Sequence, residues 1–179
     1  VPGGLILSTY TGHKRKYGVN PYENYDDIGT LKPRLFDEEP DQRLPAMERV
    51  VHIFGEHTPK IYPLSLMREE QVINDSHEGL DVVIFFKDGA VSILDNIQIS
   101  DSNSIGAVTV YSPIVDKQKL IFNPVKDGYQ DKQTGSVWSL TGQCVKGQLS
   151  GEQLKPFVYG NHFAFAWLYF YPETVIYGQ

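Results

Sequence analysis

Asp131-Lys-Gln-Thr-Gly-Ser-Val-Trp-Ser139 is the stretch that decides how this chain of 179 residues folds. A polar turn, Lys132 to Gly135, leads through Ser136 into the apolar pair Val137-Trp138. That is the pattern of a β-hairpin in which glycine takes a positive φ that other residues resist. Gly142, Gly147 and Gly151 follow at near-even spacing and mark further turns.

Working outward, the same short-strand rhythm recurs from Glu48 onward. Val50 to Phe54, a turn over Gly55 to Pro59, and Lys60 to Tyr62 read as a first hairpin. Leu64 to Gln71 reads as one short helix before Val72-Ile73. Val82 to Phe86 is continuously apolar and reads as a strand buried on both faces, turned by Asp88-Gly89 into a strand from Ala90 to Leu94. Further strands are expected at Ala107 to Tyr111, Lys119 to Phe122, Tyr129-Gln130, Ser136 to Ser139, Gln143 to Lys146 and Thr174 to Tyr177. His162 to Phe170 is the other helix candidate, with Phe163, Trp167 and Phe170 on one core-facing side. Many short strands with glycine-marked turns predict a mainly β fold at the margin of α+β: an antiparallel barrel or sandwich with one or two short helices.

Residues 1–45 read differently, as an extended, proline-rich N-terminal arm ahead of a single β-rich domain over 46–179. Pro21, Pro33, Pro40 and Pro45 each remove a backbone donor and bias the preceding residue to extended geometry. An arm this long must pack on something to be ordered. The apolar run Leu5, Ile6, Leu7 to Tyr10 can add as a strand to a second subunit, or the arm can cover an apolar face of its own domain.

A formal charge of -6, with Lys14-Arg15-Lys16 the one basic cluster, argues against a nucleic-acid partner, which needs a concentrated basic face. No run of about 20 apolar residues exists, so no transmembrane segment is expected. The single cysteine, Cys144, excludes an internal disulfide and Cys-x-x-Cys redox or zinc chemistry, and reads as a small buried hydrophobe on a strand. Eleven tyrosines and nine phenylalanines against two methionines, and a chain opening at Val1, suit a processed protein located outside the cell or on its surface.

Chemistry has few footholds. Glu70, Asp75 and His77 lie close in sequence, and with Asp131 they are the candidates for acid-base or metal work, though their spacing matches no metal signature. His52 and His57 flank the first hairpin turn, while His13 and His162 stand alone. No Gly-x-Ser-x-Gly elbow surrounds Ser136 or Ser139. Asn74-Asp75-Ser76 is a glycosylation sequon, although Asn74 and Asp75 also suit hydrogen bonding within the turn that ends at Gly79. Trp138 and Trp167 offer a sugar-stacking platform if exposed. No cofactor and no metal is expected.

From Tyr62 to the C-terminus the chain resembles an uncharacterised prokaryotic family, domain of unknown function 3179. Three segments carry the likeness: Tyr62-Pro-Leu64 leading to Val72-Ile-Asn-Asp75 and Gly79; Asp131 to Ser139 with the glycines after it; and Trp167 with Pro172-Glu-Thr174. Two places depart from the family pattern. A His-Glu pair is replaced by Glu70-Gln71, and a Cys-Pro-Leu-Cys motif by Lys87-Asp88-Gly89-Ala90. Neither lysine nor alanine replaces a thiolate, so chemistry resting on those cysteines is lost while a Lys-Asp-Gly turn preserves the fold. The sequence therefore reads as a family scaffold used without that chemistry: a non-catalytic exported or cell-surface protein, adhesive or filament-forming, self-associating through its N-terminal arm. The alternative is an enzyme or metal-binding domain with a carboxylate/histidine site.

Overall fold

The computed structural model describes residues 3, 8, 10–15, 17 and 19–179. In order along the chain are β1 (Arg49–Phe54), β2 (Pro59–Pro63), α1 (Leu64–Glu70), β3 (Val72–His77), β4 (Leu80–Lys87) and β5 (Ala107–Tyr111). The two-residue strands β6 (Ile114–Val115) and β7 (Gln118–Lys119) come next, then β8 (Phe122–Val125), β9 (Gly128–Asp131), β10 (Val137–Trp138) and β11 (Cys144–Lys146). The chain closes with β12 (Gly160–Phe163), α2 (Ala164–Phe170) and β13 (Val175–Ile176).

Period-two alternation sorts these strands into layers. In the β1–β2 hairpin, His52 pairs with Ile61 and Val51 with Tyr62. Val50 and Ile61 therefore face one way and meet Ala164, Trp167 and Leu168 of α2. Val51, Ile53 and Tyr62 face the other way, onto Met67 of α1 and Val82, Ile84 and Phe86 of β4. The opposite face of β4 presents Val83 and Phe85 to Phe122, Tyr129 and Trp138. β4 is thus buried on both sides, as its unbroken apolar run predicts.

The molecule is a stack: α2, then the sheet β12-β1-β2-β13, then β3-β4-β5, then β11-β10-β9-β8. It is sandwich-like and mainly β, and its sheets do not close into a barrel. β13 joins β2 in parallel, Val175 beside Lys60, and the other paired strands run antiparallel. Both helices are a turn or two long, set by packing rather than length. α1 stops where Gln71 takes φ 62 and donates its N–H to the Met67 carbonyl.

Three expectations are corrected. Ala90 to Leu94 forms no strand: past Gly89, at φ 125, the chain leaves β4, and β5 pairs there instead. Residues 160–163, including His162, form β12 against β1, so the helix begins only at Ala164. Phe170 points outward, since Ala164, Trp167 and Leu168 form the buried stripe.

From Val19 onward the arm is strapped to the body. Val19 bridges Gln98, Asn20 N–H donates to the Ile97 carbonyl (2.9 Å) and Tyr25 N–H to Leu94 (2.9 Å). Phe36 packs edge-on against Phe165 and Tyr169 of α2. Arg43 donates to the carbonyls of Pro172 and Thr174 while holding Asp41. Leu5, Ile6 and Leu7 lie outside the described residues. Tyr10, Leu31 and Leu35 are 94%, 88% and 95% exposed.

Candidate functional site

Two of the four predicted acid-base residues share a neighbourhood. β2 carries Lys60 and Tyr62 on alternate positions of one face, and β3 presents Asp75 to both: Lys60 Nζ lies 2.6 Å from Asp75 Oδ2, and the Tyr62 hydroxyl donates to the same oxygen at 3.0 Å. Tyr177, past β13, packs against Tyr62 with the rings tilted and their centroids 5.3 Å apart, and donates its hydroxyl to Glu70 Oε2 at 3.2 Å. Lys60 Nζ lies 5.5 Å from the centre of the Tyr177 ring and 5.7 Å from that of Tyr62. Glu70 and Asp75 therefore sit at the two ends of one Tyr-Lys-Tyr cluster.

The electrostatics of this cluster favour rest over reaction. Burial acts to raise the Asp75 pKa, but hydrogen bonds from Lys60, the Ser76 backbone and Tyr62 hold it below the ordinary value. Burial, with Asp75 beside it, pushes the Tyr62 phenol well up, and burial with Glu70 pushes Tyr177 to about 12. Each phenol is a committed donor at neutral pH, the reverse of what a tyrosine base needs.

His77 and Asp131 lie elsewhere, each engaged by its own partners. His77 Nε2 lies 2.9 Å from the Thr58 carbonyl oxygen, and the next residue, Glu78, accepts from the His57 and Thr58 N–H groups, which closes the β1–β2 turn against β3. Asp131 is fully buried; it accepts from Thr134 N–H, Thr134 Oγ1 and Trp138 Nε1. Thr134 Oγ1 in turn meets Ser136 Oγ, which accepts from Leu149 N–H. The residues whose pattern marks the hairpin are thus the ones that bolt it, and Gly135 supplies its positive φ of 69.

Other expectations resolve in the same way. Cys144 lies on β11 in the core, its thiol pushed up by burial. Asn74 hydrogen-bonds across to β8 with its amide rather than within its own turn: Oδ1 accepts from Phe122 N–H and Nδ2 donates to the Phe122 carbonyl, both at 2.8 Å. Trp138 and Trp167 are 0% and 5% exposed, which removes the sugar-stacking platform. Among the described residues no helix is long and apolar enough to cross a membrane.

A cleft of about 550 Å³ was not foreseen from the sequence. It lies between the arm (Asn24, Asp26, Asp27), Glu48 and Arg49, the start of α1 (Ser65, Arg68) and the 92–105 loop (Ser92, Asp95, Asn103). Its polar walls are largely knitted together. Arg49 donates to Asp26 (2.7 Å) and Ser92, while Glu48 accepts from Ser65 N–H. Arg68 pairs with Asp88 and Ser104 on its rim.

A second unforeseen feature is a histidine pair: His52 Nδ1 lies 3.0 Å from His162 Nε2. Trp167 stacks on His52 at 4.2 Å between ring centroids, nearly parallel. Burial lowers both imidazole pKa values, and His162 lowers that of His52 further. The signal was hidden because it depends on β12 pairing with β1 across more than a hundred residues.

A β-sandwich of layered sheets with a scaffold-bound polar interior is the class of protein that these features define. The chain belongs to a family described as a protein of unknown function (DUF3179), which it matches over residues 1–174. The match takes in the arm as well as the body. No curated protein and no solved structure matches the chain.

The two departures from the family pattern meet in space. The Gln71 carbonyl accepts from Phe86 N–H, which sets residues 70–71 beside the end of β4 and the 87–90 turn. There Asp88 accepts from Ser104 Oγ and Ser104 Oγ accepts from Gly89 N–H, so a hydrogen-bonded latch occupies that corner.

Proposed function

We propose that this chain is a non-catalytic member of its family that acts outside the cell, or on its surface, by binding a second copy through its N-terminal arm. The observation that carries the reading is the arm itself. Residues 19–45 are strapped down, yet Tyr10, Leu31 and Leu35 project away from the body. Large apolar side chains left exposed on and ahead of an anchored segment suit a surface that a partner covers. The interior adds support. Asp75, His77 and Asp131 are each held by backbone or side-chain partners, and among the described residues no buried side-chain polar atom lacks a partner. The run Leu5-Ile6-Leu7 ahead of Tyr10 would supply the strand added to the neighbour's sheet edge.

Light scattering and electron microscopy of the full chain test this against a chain lacking residues 1–12 and a Leu31→Asp/Leu35→Asp variant. Ordered assemblies that dissolve in both altered forms are expected. A monomer unaffected by either change overturns the reading.

A second reading, an enzyme or metal-binding domain of unstated reaction, is favoured by one observation: Glu70 and Asp75 do converge on Lys60, Tyr62 and Tyr177. It requires that a ligand displace the Lys60–Asp75 ion pair.

A further inference from the structure

We propose that His52 and His162 form a two-imidazole site for a divalent transition-metal ion of the copper(II) or nickel(II) class, completed by solvent. The site is independent of the arm and of the Lys60 cluster.

The argument starts from the sheet. β1 and β12 pair with His52 opposite Gly160 and Val50 opposite His162, so the two histidines sit diagonally on one face. Gly160 leaves the room they need: a Cβ there would stand 2.9 Å from His162 Nε2 and 3.1 Å from His52 Cε1. The indole of Trp167 fixes the plane of His52 by stacking, and is itself pinned by donating Nε1–H to Thr174 Oγ1 at 2.9 Å. His162, half-buried on the edge strand β12, keeps a path to solvent.

Distance is compatible with one metal class. With metal–nitrogen bonds of about 2.0–2.1 Å, cis ligands at a right angle stand about 2.9 Å apart, and tetrahedral ones about 3.3 Å. The observed 3.0 Å is a hydrogen-bond distance, with one ring proton between the two nitrogens; a metal taking that proton's place needs little ring movement to reach the cis geometry of tetragonal copper(II) and nickel(II) sites, for which imidazole is a fitting ligand. Electrostatics agree: neither α2 nor β12 carries a charged residue, and Lys60 and Arg49 lie on the other face of the sheet. Burial acts in the same direction, disfavouring the charged imidazolium in both rings, and the neutral ring is the form that a metal binds. Among the described residues no group of three or more His, Cys, Asp or Glu side chains can hold a metal, so water supplies the remaining positions.

Copper(II) chloride titrated into the full chain, followed by calorimetry and electron paramagnetic resonance, tests the site. One ion per chain with hyperfine coupling to two nitrogens is expected. His162→Gln keeps a hydrogen-bonding group beside His52 but loses a ligand, and should weaken binding about tenfold or more, since even outer-sphere changes cost about 10–100-fold. Its circular dichroism without metal reports whether it folds. On the unaltered chain, substoichiometric copper should broaden the ring signals of His52 and His162 before those of His13 and His57. No binding, affinity unchanged in His162→Gln, or earlier broadening of His13 or His57 overturns the proposal.

Discussion

Asn74 grips Phe122 at both polar ends of that residue, accepting from its N–H and donating to its carbonyl at 2.8 Å each, so one side chain on β3 does the work of a strand partner for β8. It joins the middle sheet of the stack to the outer one. Asn74→Ala removes two neutral hydrogen bonds and should cost about 1–3 kcal/mol. Asn74→Asp removes only the donor and should fall between. Urea midpoints with unchanged slopes would check both. A glycan on Nδ2 would break the donor bond, so mass spectrometry of protein from an exporting, glycosylating host should find Asn74 bare.

Asp131 holds the hairpin that sets the fold. Asp131→Asn leaves a single acceptor where Thr134 and Trp138 present three donors, and turns an amide N–H₂ toward one of them. A loss of about 2–3 kcal/mol is expected, because hydrogen bonds to a charged acceptor are the stronger kind. Trp138 emission should shift red at lower urea than in the unaltered chain.

Phe85 lies between Tyr129, stacked at 3.9 Å and nearly parallel, and the rings of Phe122 and Tyr111. Phe85→Ala should cost about 3–5 kcal/mol, combining lost transfer energy with a cavity that three fixed rings cannot close. Phe85→Leu should cost distinctly less. Thermal unfolding of the two variants would separate them.

Alkali should unfold the protein through its tyrosines. Tyr129 and Tyr177 are pushed up to about 12, and Tyr62 and Tyr111 are also raised, by burial first in each case. Between pH 10 and about 12 the unfolded chain has released protons that the folded chain retains, so stability is complete below pH 10 and falls as pH rises through that window. Ultraviolet titration should show these phenols ionising late, together with loss of ellipticity. Simultaneous ionisation of all eleven tyrosines near pH 10 with the fold intact would contradict this.

Acid should act through Glu78, whose carboxylate accepts first from the His57 N–H and then from Thr58, and is lowered to about 2. A lowered carboxylate stabilises above the unfolded pKa and loses that contribution as pH falls from about 4.5 toward 2. Glu78→Gln should therefore show a flatter stability profile in that window, measured by urea denaturation at stepped pH.

What the sequence discloses follows physical range. Local signals were legible: the β1–β2 hairpin, α1, the doubly buried β4 and the Asp131 turn each announce themselves through apolar runs, prolines and glycines within a few residues. Long-range pairing was not. β12 carries only four residues, Gly160 to Phe163, and its strand character comes from β1, so His162 reads as helical and its meeting with His52 stays hidden. Likewise Leu94, Asp95 and Ile97 offer their carbonyls to the arm while residues 90–92 bond to 103–106, and no local pattern encodes that division.

The same long-range closures govern how the chain can acquire its shape. β1 needs β12 as a neighbour, Asn20 needs Ile97, and Arg43 must find the carbonyls of Pro172 and Thr174. A chain emerging from a ribosome has synthesised the first partner of each pair long before the second, and sits with an open sheet edge until residue 174 is clear. Loop closure over such separations makes folding slow and leaves strand edges exposed meanwhile. The fold therefore closes only once its late segments are available, and whatever shields the β1 edge in the interval limits mispairing there.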